Sequence, residues 1–244
     1  MLIASETDIG LVRSNNQDSF AAGKFSKNSA WAVVCDGMGG TSGGNIASAM
    51  AVKSISETIL NRIHFVNTSG SMKNVLNSAV YNANIAVFDK AREDSELSGM
   101  GTTVVTVIIN NGTAYIAHAG DSRAYLINDN NITQVTRDHS IVQSMIENGQ
   151  LTPEEARFHP SKNVITRALG IGDVVDTEFT ETELAPKDKL LLCTDGLTNY
   201  VQVGEIKNIV NSTDFSNIPA ALINAANNAG GGDNITVIIL SIEG

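Results

Sequence analysis

Apolar residues are spaced along this chain in two rhythms. Short runs rich in β-branched side chains fall at residues 30–35, 103–109, 113–119, 123–127, 189–193 and 235–242. Most are too short for helices, and their composition favours strands. Asn111-Gly112 lies between the second and third runs. That pair is a strong hairpin signal, so it predicts antiparallel strands on either side. A further turn is predicted at Asn128 to Asn131. The other rhythm is helical: Ile46, Ala49, Met50, Ile55, Ile59 and Ile63 trace one stripe over 44–65, and Val75, Leu76, Ala79, Val80, Ala83 and Val87 another over 72–92.

Further along, Ser140 with Gln143 reads as a capping box for a helix ending near Gly149. Thr152-Pro153-Glu154-Glu155 opens a second helix with Pro at its first position. Residues 140–170 therefore read as a small helical excursion. Two last helices are predicted at 203–211 and 217–229. The order is strands, two helices, neighbouring strands with a helical insertion, then helices and a final strand, which is α+β and not alternating βα. Proline occurs only at 153, 160, 186 and 219 and no linker interrupts the pattern, so one continuous domain is the simplest organisation.

Composition narrows the functional classes. With 42% hydrophobic residues in 244, the chain can build a substantial core. The net charge of −10, from 16 Lys and Arg against 26 Asp and Glu, argues against a nucleic-acid partner, which would need a basic footprint. No run approaches the roughly 20 apolar residues of a membrane span, and the first residues lack a secretory pattern, so a cytoplasmic location without a membrane is expected. Cys35 and Cys193 both sit inside apolar runs, as buried free thiols do.

The candidate chemistry lies where apolar runs stop. Trp31-Ala32-Val33-Val34-Cys35 ends in Asp36-Gly37, and Leu190-Leu191-Leu192-Cys193-Thr194 ends in Asp195-Gly196. A third run ends in Gly120-Asp121-Ser122, and Gly230-Gly231-Gly232 precedes Asp233-Asn234 and the last strand. Any one of these aspartates could simply form a turn. Four carboxylates converging without cations would repel one another, so together they point to hard divalent ions, magnesium or manganese before zinc. His64, His118, His139 and His159 lack paired ligand spacing, and packing or capping roles are expected for them. In Arg13-Ser14-Asn15-Asn16-Gln17-Asp18, the guanidinium can clamp a phosphate beside a carboxylate able to hold metal-bound water. The glycine-rich run from Gly37 to Gly44 lacks a nucleotide-binding fingerprint. Its glycines are better read as letting the Gly37 carbonyl approach a metal.

Taken together, these stretches resemble the metal-dependent protein phosphatase family, type 2C, and particularly its compact bacterial serine/threonine members. The resemblance is carried by Thr7-Asp8-Ile9-Gly10 with Arg13 and Asn16-Gln17-Asp18, then Asp36-Gly37-Met38-Gly39-Gly40 and Gly101-Thr102-Thr103. It continues through Gly120-Asp121-Ser122-Arg123, Asp138-His139-Ser140, Thr194-Asp195-Gly196-Leu197-Thr198 and Gly232-Asp233-Asn234, and so spans essentially the whole chain. It implies a four-layer αββα sandwich, two antiparallel β-sheets flanked by helix pairs, with a metal cluster in the cleft at one end. By the same resemblance, Asp36 bridges two cations, Asp195 and Asp233 complete one, and the Gly37 carbonyl holds the other. Asp18 acts through bound water, Asp121 with Asp195 forms an additional site, and Arg13 anchors the substrate phosphate. Two to three Mn2+ or Mg2+ ions are implied, with hydrolysis of phosphoserine or phosphothreonine by a water activated between two of them. Residues 140–170 correspond to a flap beside the cleft. The implied partners are phosphorylated proteins and a cognate serine/threonine kinase, and a monomer is expected. Two departures stand out. Met38 follows Asp-Gly where animal relatives carry a histidine proposed as general acid, and Gln17 and Asn45 stand where many relatives have glutamate.

Overall fold

The computed structural model describes residues 1–63 and 68–242, with the backbone alone at 40–42. His64 and the last predicted turn of the first helix thus lie outside the described residues. Five strands form one antiparallel sheet in the order β1 (Leu2–Asp8), β11 (Ile235–Ser241), β10 (Lys189–Cys193), β7 (Arg123–Ile127) and β8 (Ile132–Gln134). The second sheet runs β2 (Asp18–Ser26), β3 (Ser29–Met38), β5 (Val104–Asn110), β6 (Thr113–Ala119) and β9 (Glu178–Glu183), with the short β4 (Gly101–Thr102) pairing the end of β3. Every pairing between these strands is antiparallel.

Each predicted apolar run is an interior strand of a sheet: β3, β5, β6, β7, β10 and β11. The strands that pattern did not reveal include all four sheet edges, β1, β2, β8 and β9. An edge strand is only half covered, and β9, Glu-Phe-Thr-Glu-Thr-Glu, carries more charge than apolar surface. The β5–β6 hairpin turns at Asn111 and Gly112 with φ of 48° and 89°, the left-handed pair that its sequence predicts.

The layers follow from what each face buries. Helices α1 (Gly40–Arg62) and α2 (Ser69–Glu93) place Ile55, Ile59, Leu76, Val80 and Val87 on the outer face of the second sheet, against Val33, Cys35, Val104 and Ile108. The inner faces meet through residues such as Val34, Val105, Ile116, Leu190 and Ile238. On the far side, α5 (Asp195–Thr198), α6 (Val203–Ser212) and α7 (Ile218–Asn228) bring Leu197, Ile206 and Leu222 onto Leu191, Val237 and Ile239. The result is helix, sheet, sheet, helix. Cys35 and Cys193 are buried free thiols within it, and burial pushes both up from the usual thiol range, Cys193 to about 12.

The 140–170 segment is less helical than its pattern predicts. It holds only α3 (Ile141–Glu147) and the single turn α4 (Pro153–Ala156), and a bridge between Ser140 and Ile165 closes its base. Thr152 and Glu155 form the full reciprocal capping box, but Ser140 makes only half of one. Its hydroxyl accepts the Gln143 N–H at 3.2 Å, while the Gln143 side chain turns away to Glu147.

Candidate metal centre

The cleft at one end of the sandwich, about 440 Å³, is lined by Arg13, Asp36, Gly37, Asp121, Asp195 and Asp233, among others. Strand ends from both sheets deliver these groups. Asp36 and Gly37 lie at the end of β3, where the Asp36 carbonyl accepts the Thr103 N–H at 2.8 Å and the Thr102 hydroxyl at 2.8 Å. Asp195 opens α5 just after β10, and Asn199 Nδ2 donates to its Oδ2 at 2.8 Å. Asp121 follows β6, and Asp233 precedes β11.

Asp18 sits directly opposite Asp36 in the β2–β3 register and is 8% exposed, beneath the lining of the cleft. Its Oδ2 accepts two hydroxyls, from Thr236 at 2.7 Å and Thr194 at 2.9 Å. Arg13 stands at the rim, half exposed, and donates to Asp233 Oδ2 at 2.8 Å. The loop carrying it is pressed onto the Asp233 turn. Asn234 Nδ2 donates to the Ile9 and Asn15 carbonyls, and the Gln17 N–H donates to Asn234 Oδ1. At Gly10, with φ of 78°, a Cβ would lie 2.2 Å from the Asp233 carbonyl oxygen.

Crowding of carboxylates sets the electrostatics. Burial, then the neighbouring Asp18 charge, holds the Asp36 carboxyl well above the usual range, and burial followed by Asp195 does the same to Asp121. Asp195 is raised by burial and then by Asp233. For Asp18, burial outweighs its two hydroxyl donors and lifts it to about 7. Asp18 Oδ1 and Asp195 Oδ1 are buried without a hydrogen-bond partner among the described residues. An unpartnered buried carboxylate oxygen is costly, and a divalent cation is the species that would satisfy several at once. The donors are all oxygens, which suits manganese or magnesium.

The glycine run after Asp36 is a packing device. A Cβ at Gly37 would sit 2.0 Å from the Gly44 carbonyl oxygen, so strand β3 and helix α1 touch backbone to backbone. The three described histidines lie outside the lining of the cleft. His159 Nδ1 accepts the Ser161 N–H at 3.1 Å. His118 and His139 stack with ring centroids 4.7 Å apart, and Glu178 joins them to give three potential ligand atoms within 4.8 Å of one another. The Gly120 N–H donates to His139 Nδ1 at 3.2 Å, and Glu178 Oε2 lies 3.2 Å from the other ring nitrogen, Nε2. Arg167 Nη1 lies 2.9 Å from the same Nε2, so both ring nitrogens of His139 are engaged by neighbouring groups of the protein.

Residues 12–236 match the family model described as protein phosphatase 2C. The chain belongs to the protein phosphatase 2C family. It is 39% identical over 254 residues to the protein phosphatase PhpP of Streptococcus pneumoniae, covering 100% of this chain and 98% of that one. It also resembles the crystal structure of serine/threonine phosphatase Stp1 from Staphylococcus aureus, with a TM-score of 0.91 and 35% identity over 99% of this chain and 95% of that one. A structure of the catalytic domain of the serine threonine protein phosphatase PstP in complex with 2 manganese ions matches with a TM-score of 0.87 and 32% identity, over 100% of this chain and 98% of that one. As a type 2C phosphatase this chain is a metal-dependent hydrolase that takes manganese or magnesium.

Several residues of this phosphatase act on the cleft without a readable sequence signal. Thr236 stands in the mostly apolar β11 and reaches Asp18. Asn163 and Ile165, from the 140–170 segment, line the cleft. Arg123 holds Asp138 through Nε at 2.9 and 3.0 Å and Nη2 at 2.6 Å, so the Asp138 in Asp138-His139-Ser140 is an ion-pair partner that does not reach the cleft. Among the described residues no helix is long and apolar enough to cross a membrane.

Proposed function

We propose that this chain removes phosphate from phosphoserine and phosphothreonine in proteins, in the cytoplasm and opposite a cognate serine/threonine kinase. The observation that carries this reading is the convergence of Asp36, Asp121, Asp195 and Asp233 on one cleft, with a guanidinium at the rim and, among the described residues, unpartnered oxygens on Asp18 and Asp195.

In this reading Asp36, Asp195, Asp233 and the Gly37 carbonyl would hold two ions, and Asp121 with Asp195 would offer an additional position. When bound, such ions supply Lewis acidity that makes a water nucleophilic near neutral pH and offsets charge on the phosphoryl oxygens. The chain's own contribution is placement. Arg13 presents its planar donors to the phosphoryl oxygens, and Asp233 holds that guanidinium at the cleft edge. Asp18, whose Oδ1 has no hydrogen-bond partner among the described residues, would act on the centre through bound water. Met38 cannot give one, so the leaving-group proton comes from water and not from a side chain at that position. Residues 1–244 act as one phosphatase domain, with 140–170 as a flap. The Ser140–Ile165 bridge at its base and the cleft-lining Asn163 and Ile165 support that assignment.

The decisive measurement is hydrolysis of a phosphothreonine peptide with manganese, with magnesium and after exhaustive chelation. Turnover is expected with either metal and should disappear on chelation. Activity that survives complete metal removal is incompatible with this reading.

A further inference from the structure

A second cavity of about 500 Å³ adjoins the cleft and differs from it in character. Its apolar walls are Met38, Ile165, Ala168, Ile171, Val174 and Val175. Met38 and Ile165 also line the carboxylate cleft, so the two depressions share a wall and form one continuous surface. Ile171 and Val174 are 52% and 76% exposed, far more than the core aliphatics. The charged pair at its edge, Arg167 and Asp176 at 2.7 Å, neutralises itself.

The groove is preformed. Thr102 and Leu169 exchange backbone hydrogen bonds of 3.1 and 2.8 Å, which adds this segment to β4. Asn84, fully buried on α2, accepts the Gly170 N–H at 2.9 Å and donates to the Gly172 carbonyl at 2.9 Å. Gly170, with φ of 86°, sits so close to α2 that a Cβ would lie 2.3 Å from Val87 Cγ1. A rigid, exposed apolar groove has no folding role of its own. Its continuity with the cleft identifies the occupant.

We propose that this groove binds an apolar side chain of the phosphoprotein substrate, close in sequence to the phosphorylated residue. The inference rests on the phosphatase reading and names the substrate class within it. An extended peptide advances about 3.3 Å per residue, so a phosphoresidue among the carboxylates places side chains within a few positions of it over the shared Met38–Ile165 wall.

The test uses phosphothreonine peptides of alanine and serine in which one leucine is moved through the positions flanking the phosphoresidue, with p-nitrophenyl phosphate as a substrate too small to reach the groove. In the wild-type chain with manganese, leucine at one or two positions on one side is expected to lower KM by about tenfold, as burial of one aliphatic side chain would. Ile171→Asp and Val174→Asp should each abolish that preference while leaving p-nitrophenyl phosphate turnover and the alanine peptide unchanged, which also shows that the variants fold. Equal KM for every peptide in the wild type overturns the proposal, as does a leucine preference that survives both variants. A shift from dimer to monomer in Ile171→Asp with the preference intact would assign the groove to a second copy of the chain and overturn it as well. Absence of p-nitrophenyl phosphate hydrolysis in the wild type would refute the phosphatase reading itself, a separate result from a flat peptide series.

Discussion

Asp18 and Asp36 face each other across β2 and β3, a position where like charges weaken a sheet. Nothing in folding favours the arrangement, so its reason is what the two carboxylates can hold. Asp36→Ala or Asp233→Ala is expected to lower phosphopeptide turnover by about 100-fold or more, roughly 2.7 kcal/mol of transition-state stabilisation. Near-normal turnover in both would remove these residues from the proposed centre. The strand-end aspartates were legible in the sequence because each flanks an apolar run, Asp36, Asp121 and Asp195 after one and Asp233 before one, and precedes a glycine, serine or asparagine. Their hydrogen-bond partners were not. Thr194, just past β10, and Thr236, on β11, reach Asp18 from the other sheet, and His118 stacks on His139, contacts that exist only once the chain has folded.

Among the elements, the interior strands could be read and the edges could not. A strand covered on both faces is a continuous apolar run, while β1, β2, β8 and β9 each leave one side open and mix polar residues into the pattern. Helix α2 was legible as an apolar stripe, but Asn84 within it looked like an ordinary polar position. In the folded chain its amide anchors the segment after Leu169 at both ends. Asn84→Ala removes the partners of two backbone groups, so a loss of about 1–3 kcal/mol in stability is expected. Denaturant unfolding would show it as a lower midpoint with an unchanged slope. An unaltered midpoint would mean that the segment is held by its strand contacts alone.

For the whole molecule, the carboxylate cluster makes stability depend on pH and on cations together. Asp18, Asp36, Asp121 and Asp195 have raised pKa values in the folded state, Asp18 at about 7. A carboxyl raised on folding contributes stability below its unfolded pKa, and that contribution is lost as pH rises through the folded value. Above about pH 6.5 the buried His118 and His139, whose pKa values burial lowers, are already neutral and add little to the slope. The chelated protein should therefore melt at a lower temperature near pH 8 than near pH 6.5, and saturating manganese should flatten that dependence. Thermal unfolding across this range with and without metal checks both statements, and a melting temperature that rises with pH in chelator contradicts them.

The two sulfurs add one more property at this scale. Cys35 and Cys193 flank the centre, one residue from Asp36 and two from Asp195, yet both are fully buried and remain protonated. Peroxide attacks thiolates that solvent can reach, and this chain offers none. An oxidant that silences hydrolases with a cysteine nucleophile finds no exposed thiolate here, so the cysteines give it no handle on turnover.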